Sequence, residues 1–177
     1  MMTPSDMFRI LDALESDGVR CWIDGGWGID VLLGRQTREH DDLDLVIDIS
    51  GADAAKAALA ALGFALAEDE FPTRFAMADG SGHKVDFHPV KFDAEGGGIQ
   101  QLQRKGAFYR YPPEGFKVQG RLAGRTLPCI GAEVQMECHL GYEPDEKDLH
   151  DVKLLHESLG VPLPERYRKL FAARADS

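Results

Sequence analysis

The chain has 177 residues, about one domain's worth at the common ~100–200 residues per domain, with 44% apolar and 28% charged residues. That composition excludes a disordered, collagen-like or disulfide-scaffold protein, and 20 basic against 30 acidic residues leave a net charge of −10. So acidic a chain repels phosphate backbones, which argues against nucleic acid as a partner and favours a cationic ligand, or a phosphate neutralised locally by metal ions.

Thr3-Pro4 caps a first helix, with Met7, Ile10, Leu11 and Leu14 at helical spacing and Gly18 at its end. Residues 19–23 read as a strand running into the Gly25-Gly26 turn, followed by a short helix over 27–33 that stops at Gly34. After a polar loop over 35–41, residues 42–48 alternate acid and aliphatic, the period of a strand with Leu43, Leu45 and Ile47 facing a core. An alanine-rich helix over 54–62 ends at Gly63, strands follow at 64–67 and 74–78, and the turn Asp79-Gly80-Ser81-Gly82 leads into a strand over 84–88. From 90 to 128 the reading is irregular, with short strands near 118–122 and 125–129. Helices return at 133–140, at 145–159 with Leu149, Val152, Leu155 and Leu159 in one stripe, and after Pro164. The order predicts one α+β domain over 1–177, a mixed β-sheet flanked by helices: a β-rich part over about 1–128 and a helical part over about 131–173.

Cys21, Cys129 and Cys138 are too scattered for a disulfide framework and fit a reducing cytoplasm. No run approaches the ~20 apolar residues of a membrane span, and residues 1–18 lack signal-peptide features, so the expected location is cytoplasmic with no membrane partner.

Asp42 and Asp44 leave one strand face with Cα atoms about 6.5–7 Å apart, close enough for both carboxylates to meet one cation. Hard oxygen ligands of this kind suit Mg²⁺; an amphipathic strand turning acids to water is the other reading. The strand, Gly-Gly turn and helix just before them allow close backbone approach to a phosphate and offer free N–H groups. Asp86 on a later strand would complete a two-metal set if its strand lies beside the first.

Asp24-Gly25-Gly26-Trp27-Gly28-Ile29-Asp30, followed by Arg38-Glu39-His40-Asp41-Asp42-Leu43-Asp44, resembles the Gly-Gly…Asp-x-Asp signature of the DNA polymerase β-like nucleotidyltransferase superfamily. Asp86-Phe87-His88-Pro89, Pro128-Cys129-Ile130 and His139-x-Gly141-Tyr142 extend the likeness over residues 8 to 160, nearest to the small lincosamide nucleotidyltransferases and next to the aminoglycoside ones. The resemblance implies the nucleotidyltransferase fold, with Asp42 and Asp44 holding two Mg²⁺ ions shared with the triphosphate, and Gly25 and Gly26 cradling that triphosphate. It implies that Asp86, the third acid, serves as general base or further metal ligand. Gly26 stands where many superfamily members have serine, a variant the antibiotic families share.

The activity implied is transfer of AMP, or another nucleotide, from a triphosphate such as ATP to a hydroxyl of a small antibiotic. A lincosamide is the first expectation and an aminoglycoside the second, and a homodimer is compatible with it. A non-catalytic, antitoxin-like binding protein of the same fold is the alternative, and the intact acid set argues against it.

Among secondary residues, Arg38 and His40 either touch phosphate or form a solvated loop. His88, two residues from Asp86 on the same face, either orients base or substrate or is structural. Lys147 and Asp151 are spaced as a surface ion pair, whereas the resemblance implies that Lys147 reaches the triphosphate. Glu133 and His139 either line the acceptor pocket or belong to a helix cap and a buried histidine. Trp22, Trp27, Tyr109 and Tyr111 read chiefly as core.

Overall fold

The computed structural model describes residues 1–104 and 106–175. Helix α1 (Pro4–Ser16) begins with a reciprocal cap: Thr3 Oγ1 accepts from the Asp6 N–H at 3.3 Å, and the Asp6 carboxylate accepts from the Thr3 N–H at 3.0 Å. Strand β1 (Cys21–Asp24) passes directly into helix α2 (Gly25–Leu33), so the expected Gly-Gly turn is instead the first turn of the helix. Asp24 supplies the cap, accepting from the Gly25 N–H at 2.9 Å. Glycine's poor helix propensity hid this start. Gly34, left-handed at φ 75°, ends the helix as expected.

Strands β2 (Asp42–Asp48), β3 (Ala65–Glu70), β4 (Arg74–Ala78) and β5 (Lys84–Phe92) join β1 in the order β1-β2-β5-β4-β3. β2 and β5 are parallel and the other pairs antiparallel; the crossover between them carries α3 (Ala52–Ala61) and the β3–β4 hairpin. The alternation in β2 sets the two faces. Leu43, Leu45 and Ile47 are fully buried with Met7, Ile10 and Leu14 of α1, Ala55 and Leu59 of α3, and the stacked Phe75–Phe87 pair, whose ring centroids are 4.6 Å apart. The opposite face begins with Asp42 and Asp44, then closes with Val46 against Val90, Tyr111, Ile130 and Val134.

About half of the stretch read as irregular with short strands is ordered strand. β6 (Gly98–Gln101) pairs with the far end of β5, which runs past His88 to Phe92, and β7 (Phe108–Tyr111) pairs with β6. β8 (Gln119–Leu122) and β9 (Arg125–Pro128) form a separate hairpin, close to the short strands expected there. Helices α4 (Ala132–Cys138), α5 (Glu146–Glu157) and α6 (Glu165–Ala175) bring Met136, Leu149, Val152, Leu155 and Tyr167 together with Ile29 of α2 in a further cluster. Among the described residues no helix is long and apolar enough to cross a membrane.

Candidate active site

The register of the central strands lines up three acids. Asp24 on β1 is opposite Asp44 on β2, and Asp44 is opposite Asp86 on β5. Side chains directly opposite in a ladder share a face, so the row forms on the face that carries Asp42. Gly25 has φ 58°, and a Cβ added there would overlap the Asp44 carboxylate; glycine is what lets the start of α2 press against this row.

Above the row lies an open cavity of about 600 Å³. It is lined by Asp24, Gly25, Gly26, Asp42 and Asp44, by Arg38, Lys147 and Asp151, and by Gln100, Tyr109, Tyr111, Glu137 and His139. Burial pushes the Asp24 carboxyl up, with the Asp44 charge adding to it. Burial likewise raises Asp42, reinforced by Asp44 and Asp86. Burial alone would lower His88, yet its bond to Asp44 and that carboxylate's charge leave it raised. His88 Nε2 lies 3.4 Å from Asp44 Oδ1, its Nδ1 lies 3.3 Å from Gln100 Nε2, and Tyr111 donates its hydroxyl to Gln100 Oε1 at 3.1 Å. A hydrogen-bonded chain thus links the aromatic wall to the acid row.

The expectation of three acids crowding one site needs correction. Asp86 sits in register, but Arg74 Nη1 donates to its Oδ1 at 2.7 Å and Lys84 Nζ to its Oδ2 at 2.9 Å, so two cations already neutralise it. Glu68 binds both of those cations in turn. Asp86 does not line the cavity, and among the described residues no three His, Cys, Asp or Glu side chains gather as a metal cluster. Two acids, Asp42 and Asp44, remain open to a cation.

Lys147 and Asp151 are not paired with each other. Lys147 Nζ donates to Asp41 at 2.9 Å, while Asp151 is buried and holds Arg38. His40 is buried as well, so the solvated-loop reading of Arg38 and His40 fails. Glu133 is exposed and off the cavity; one turn later Glu137 lines it and accepts from the Tyr109 hydroxyl at 3.1 Å. His139 lines the cavity while buried, its Nδ1 donating to the Gln135 carbonyl at 2.8 Å. Trp27 and Tyr111 are buried as expected, although Tyr111 and Tyr109 also form the cavity wall. Asp24, Gln100 and Glu137 carried no role in the sequence reading, and Asp151 only that of an ion-pair partner for Lys147. Asp24 had a signal, an acid directly before a helix; the other three depend on long-range packing.

The aminoglycoside-2''-adenylyltransferase family model matches residues 6–155. A lincosamide resistance protein of Staphylococcus haemolyticus is 33% identical over 154 residues, 87% of this chain and 94% of its own length. A 2''-aminoglycoside nucleotidyltransferase of Escherichia coli is 28% identical over 173 residues, 94% of this chain and 93% of its own. Among solved structures, the lincomycin-bound lincosamide antibiotic adenylyltransferase LnuA superposes with a TM-score of 0.79 at 32% identity, covering 88% of this chain and 98% of that one. ANT(2")-Ia in complex with adenylyl-2"-tobramycin gives a TM-score of 0.71 at 27% identity, with 97% of each chain covered.

Proposed function

Since the chain belongs to the aminoglycoside-2''-adenylyltransferase family and is a nucleotidyltransferase, we propose that it transfers AMP from Mg²⁺-bound ATP to a hydroxyl of a lincosamide, working as a single cytoplasmic domain. The observation that carries this reading is the meeting, in one cavity, of the start of α2 with the paired carboxylates Asp42 and Asp44. The greater identity to the lincosamide resistance protein than to the aminoglycoside enzyme supports the choice of acceptor.

The donor chemistry fits Mg²⁺: Asp42 and Asp44 present hard oxygens from one strand face, and Asp42 is raised first by burial and then by repulsion from Asp44 and Asp86, which a cation relieves. They would hold the ion, which supplies charge neutralisation on the triphosphate and polarises its α-phosphorus. The first-turn N–H groups of α2, with Gly25 and Gly26 bare of side chains, cradle the phosphates, and Arg38 and Lys147 bracket them. Asp86 takes the proton of the attacking acceptor hydroxyl as pyrophosphate leaves. Arg74 and Lys84 clasp it outside the cavity lining, so one of those bonds must give way for the carboxylate to reach the hydroxyl. His88 steadies Asp44, and Tyr109, Tyr111, Glu137 and His139 form the acceptor wall, where a carboxylate suits a basic antibiotic.

An aminoglycoside is the second acceptor, favoured by the family match and by near full-length coverage of the aminoglycoside enzyme. The test incubates purified protein with Mg²⁺, each of the four triphosphates and a panel of both antibiotic classes, reading pyrophosphate release and acceptor mass. An adenylyl mass gain on lincosamides is expected. A gain on aminoglycosides alone moves the acceptor, and no pyrophosphate release with any pair overturns the reading.

A further inference from the structure

The guanidinium of Arg38 is held by a chain of buried partners from three parts of the fold. Its Nε and Nη2 donate side by side to Asp151 of α5, at 3.0 Å to Oδ1 and 2.6 Å to Oδ2. Its Nη1 donates to the Glu39 carbonyl at 3.2 Å and lies 3.0 Å from His40 Nδ1. Because arginine has no acceptor, His40 Nδ1 must accept, which leaves the ring proton on Nε2. That Nε2 faces Asp30 Oδ2 of α2 at 2.5 Å, and the other Asp30 oxygen takes the Thr37 N–H at 2.9 Å and the Thr37 hydroxyl at 2.5 Å. His40 also packs on Trp27, ring centroids 4.3 Å apart.

A guanidinium has five N–H donors, and these bonds engage four of them. The fifth is on Nη2. A Cβ added at Gly26 would overlap that same nitrogen and come within 2.7 Å of His40 Cε1, so the guanidinium fills the space a side chain at position 26 would occupy. Arg38 therefore stands beside the first turn of α2, at the rim of the cavity, with one donor unspent.

We infer that Asp151, His40 and Asp30 are positioning residues that fix Arg38 against the first turn of α2, making it a rigid anion clamp for the triphosphate. The inference rests on the phosphate placement proposed above. A free arginine would lose rotamer freedom when it closed on a phosphate; this one has lost it on folding, so its remaining donor and its fork plane are already aimed. Asp151 neutralises part of the charge, and what it contributes is direction rather than attraction.

The test is a double-mutant cycle on the full chain, with KM for the triphosphate, KM for the acceptor, kcat and Tm measured for Arg38→Ala, Asp151→Asn and the pair. Asp151→Asn keeps the shape but accepts only one of the two fork bonds. It should raise the triphosphate KM about tenfold, with kcat and acceptor KM changed less than about twofold, and add nothing in the Arg38→Ala background. Asp151→Glu, which keeps the charge and displaces the carboxylate, gives the same KM rise if the asparagine variant folds poorly. His40→Gln, able to accept from Arg38 and donate to Asp30, should restore much of what His40→Leu loses. Additive losses, or a lowered Tm with unchanged triphosphate KM, overturn the positioning role alone. An unchanged triphosphate KM in Arg38→Ala overturns it together with the phosphate placement.

Discussion

Replacing Asp42 with asparagine should stabilise the protein while abolishing transfer. Asp42 and Asp44 stand two residues apart on one face of β2, and no cation forms a direct ion pair with Asp42 among the described residues. Two unit charges about 6.5 Å apart repel by about 0.6 kcal/mol in water and about 2.5 kcal/mol at an effective dielectric of about 20. Asp42 is partly buried, and Lys84 and Lys147 offset some of the repulsion, so the relief is on the order of 1 kcal/mol, or about 2–4 °C in Tm for a chain of this size. The sign with pH follows from the raised Asp42 carboxyl. The folded state holds that proton more tightly than the unfolded chain, so this stability is present at low pH and is lost as pH rises through the folded value. The advantage of Asp42→Asn over wild type should therefore open above the usual carboxylate range and close on acidification. Thermal melts in low salt with chelator, from acid to neutral pH, read this directly. A Tm several degrees below wild type at neutral pH, or a gap that does not change with pH, would refute the repulsion argument, and near-normal turnover would remove Asp42 from the site.

Asp86→Asn should cut kcat far more than it raises the triphosphate KM, measured by initial rates; lost nucleotide binding instead makes Asp86 a phosphate-side or metal-side group. Lys147→Ala should raise the triphosphate KM and slow transfer, while Asp41→Ala, which removes only its exposed partner, should change stability slightly and in a salt-dependent way with kinetics intact. If both variants leave the kinetics untouched, Lys147 belongs to the surface and not to the site. Glu137→Gln should raise the acceptor KM for a basic antibiotic without moving the triphosphate KM, measured by initial rates at saturating nucleotide.

The parts of the fold that could be read from the chain are those whose signal is local. β2 spans 42–48 as expected because one buried face imposes strict alternation, and α1 follows from its cap and its apolar stripe. β6 escaped because Gly98-Ile99-Gln100-Gln101 has little of the branched and aromatic content that marks a strand, and β7, aromatic-rich over Phe108–Tyr111, had no recognisable partner without it. The β8–β9 turn escaped because Ala123, at φ 46°, occupies a position where asparagine or glycine is the usual sign. In the site, Asp42, Asp44 and Asp86 were legible from two strands and their spacing, whereas Asp24 was not. The partners of the charged side chains were not: Lys147 and Asp151 suggested a helical pair by their spacing, yet their true partners, Asp41 and Arg38, are more than a hundred residues away.

Strand β5 has two tenants along its length. Its first half, paired with β2 and β4, carries Asp86 and His88; its end, at Lys91 and Phe92, carries the β6–β7 ribbon through only two register pairs. The ribbon delivers Gln100, Tyr109 and Tyr111 to the cavity without sharing a register with β2. Lengthening, shortening or recombining the ribbon and its connecting loop therefore breaks no ladder pair that aligns Asp24, Asp44 and Asp86, and reaches that row through the Gln100–His88 contact. A scaffold of this kind can diversify in the molecules it accepts while its phosphate chemistry stays constant, and swapping the ribbon between relatives is a direct route to altered acceptor range.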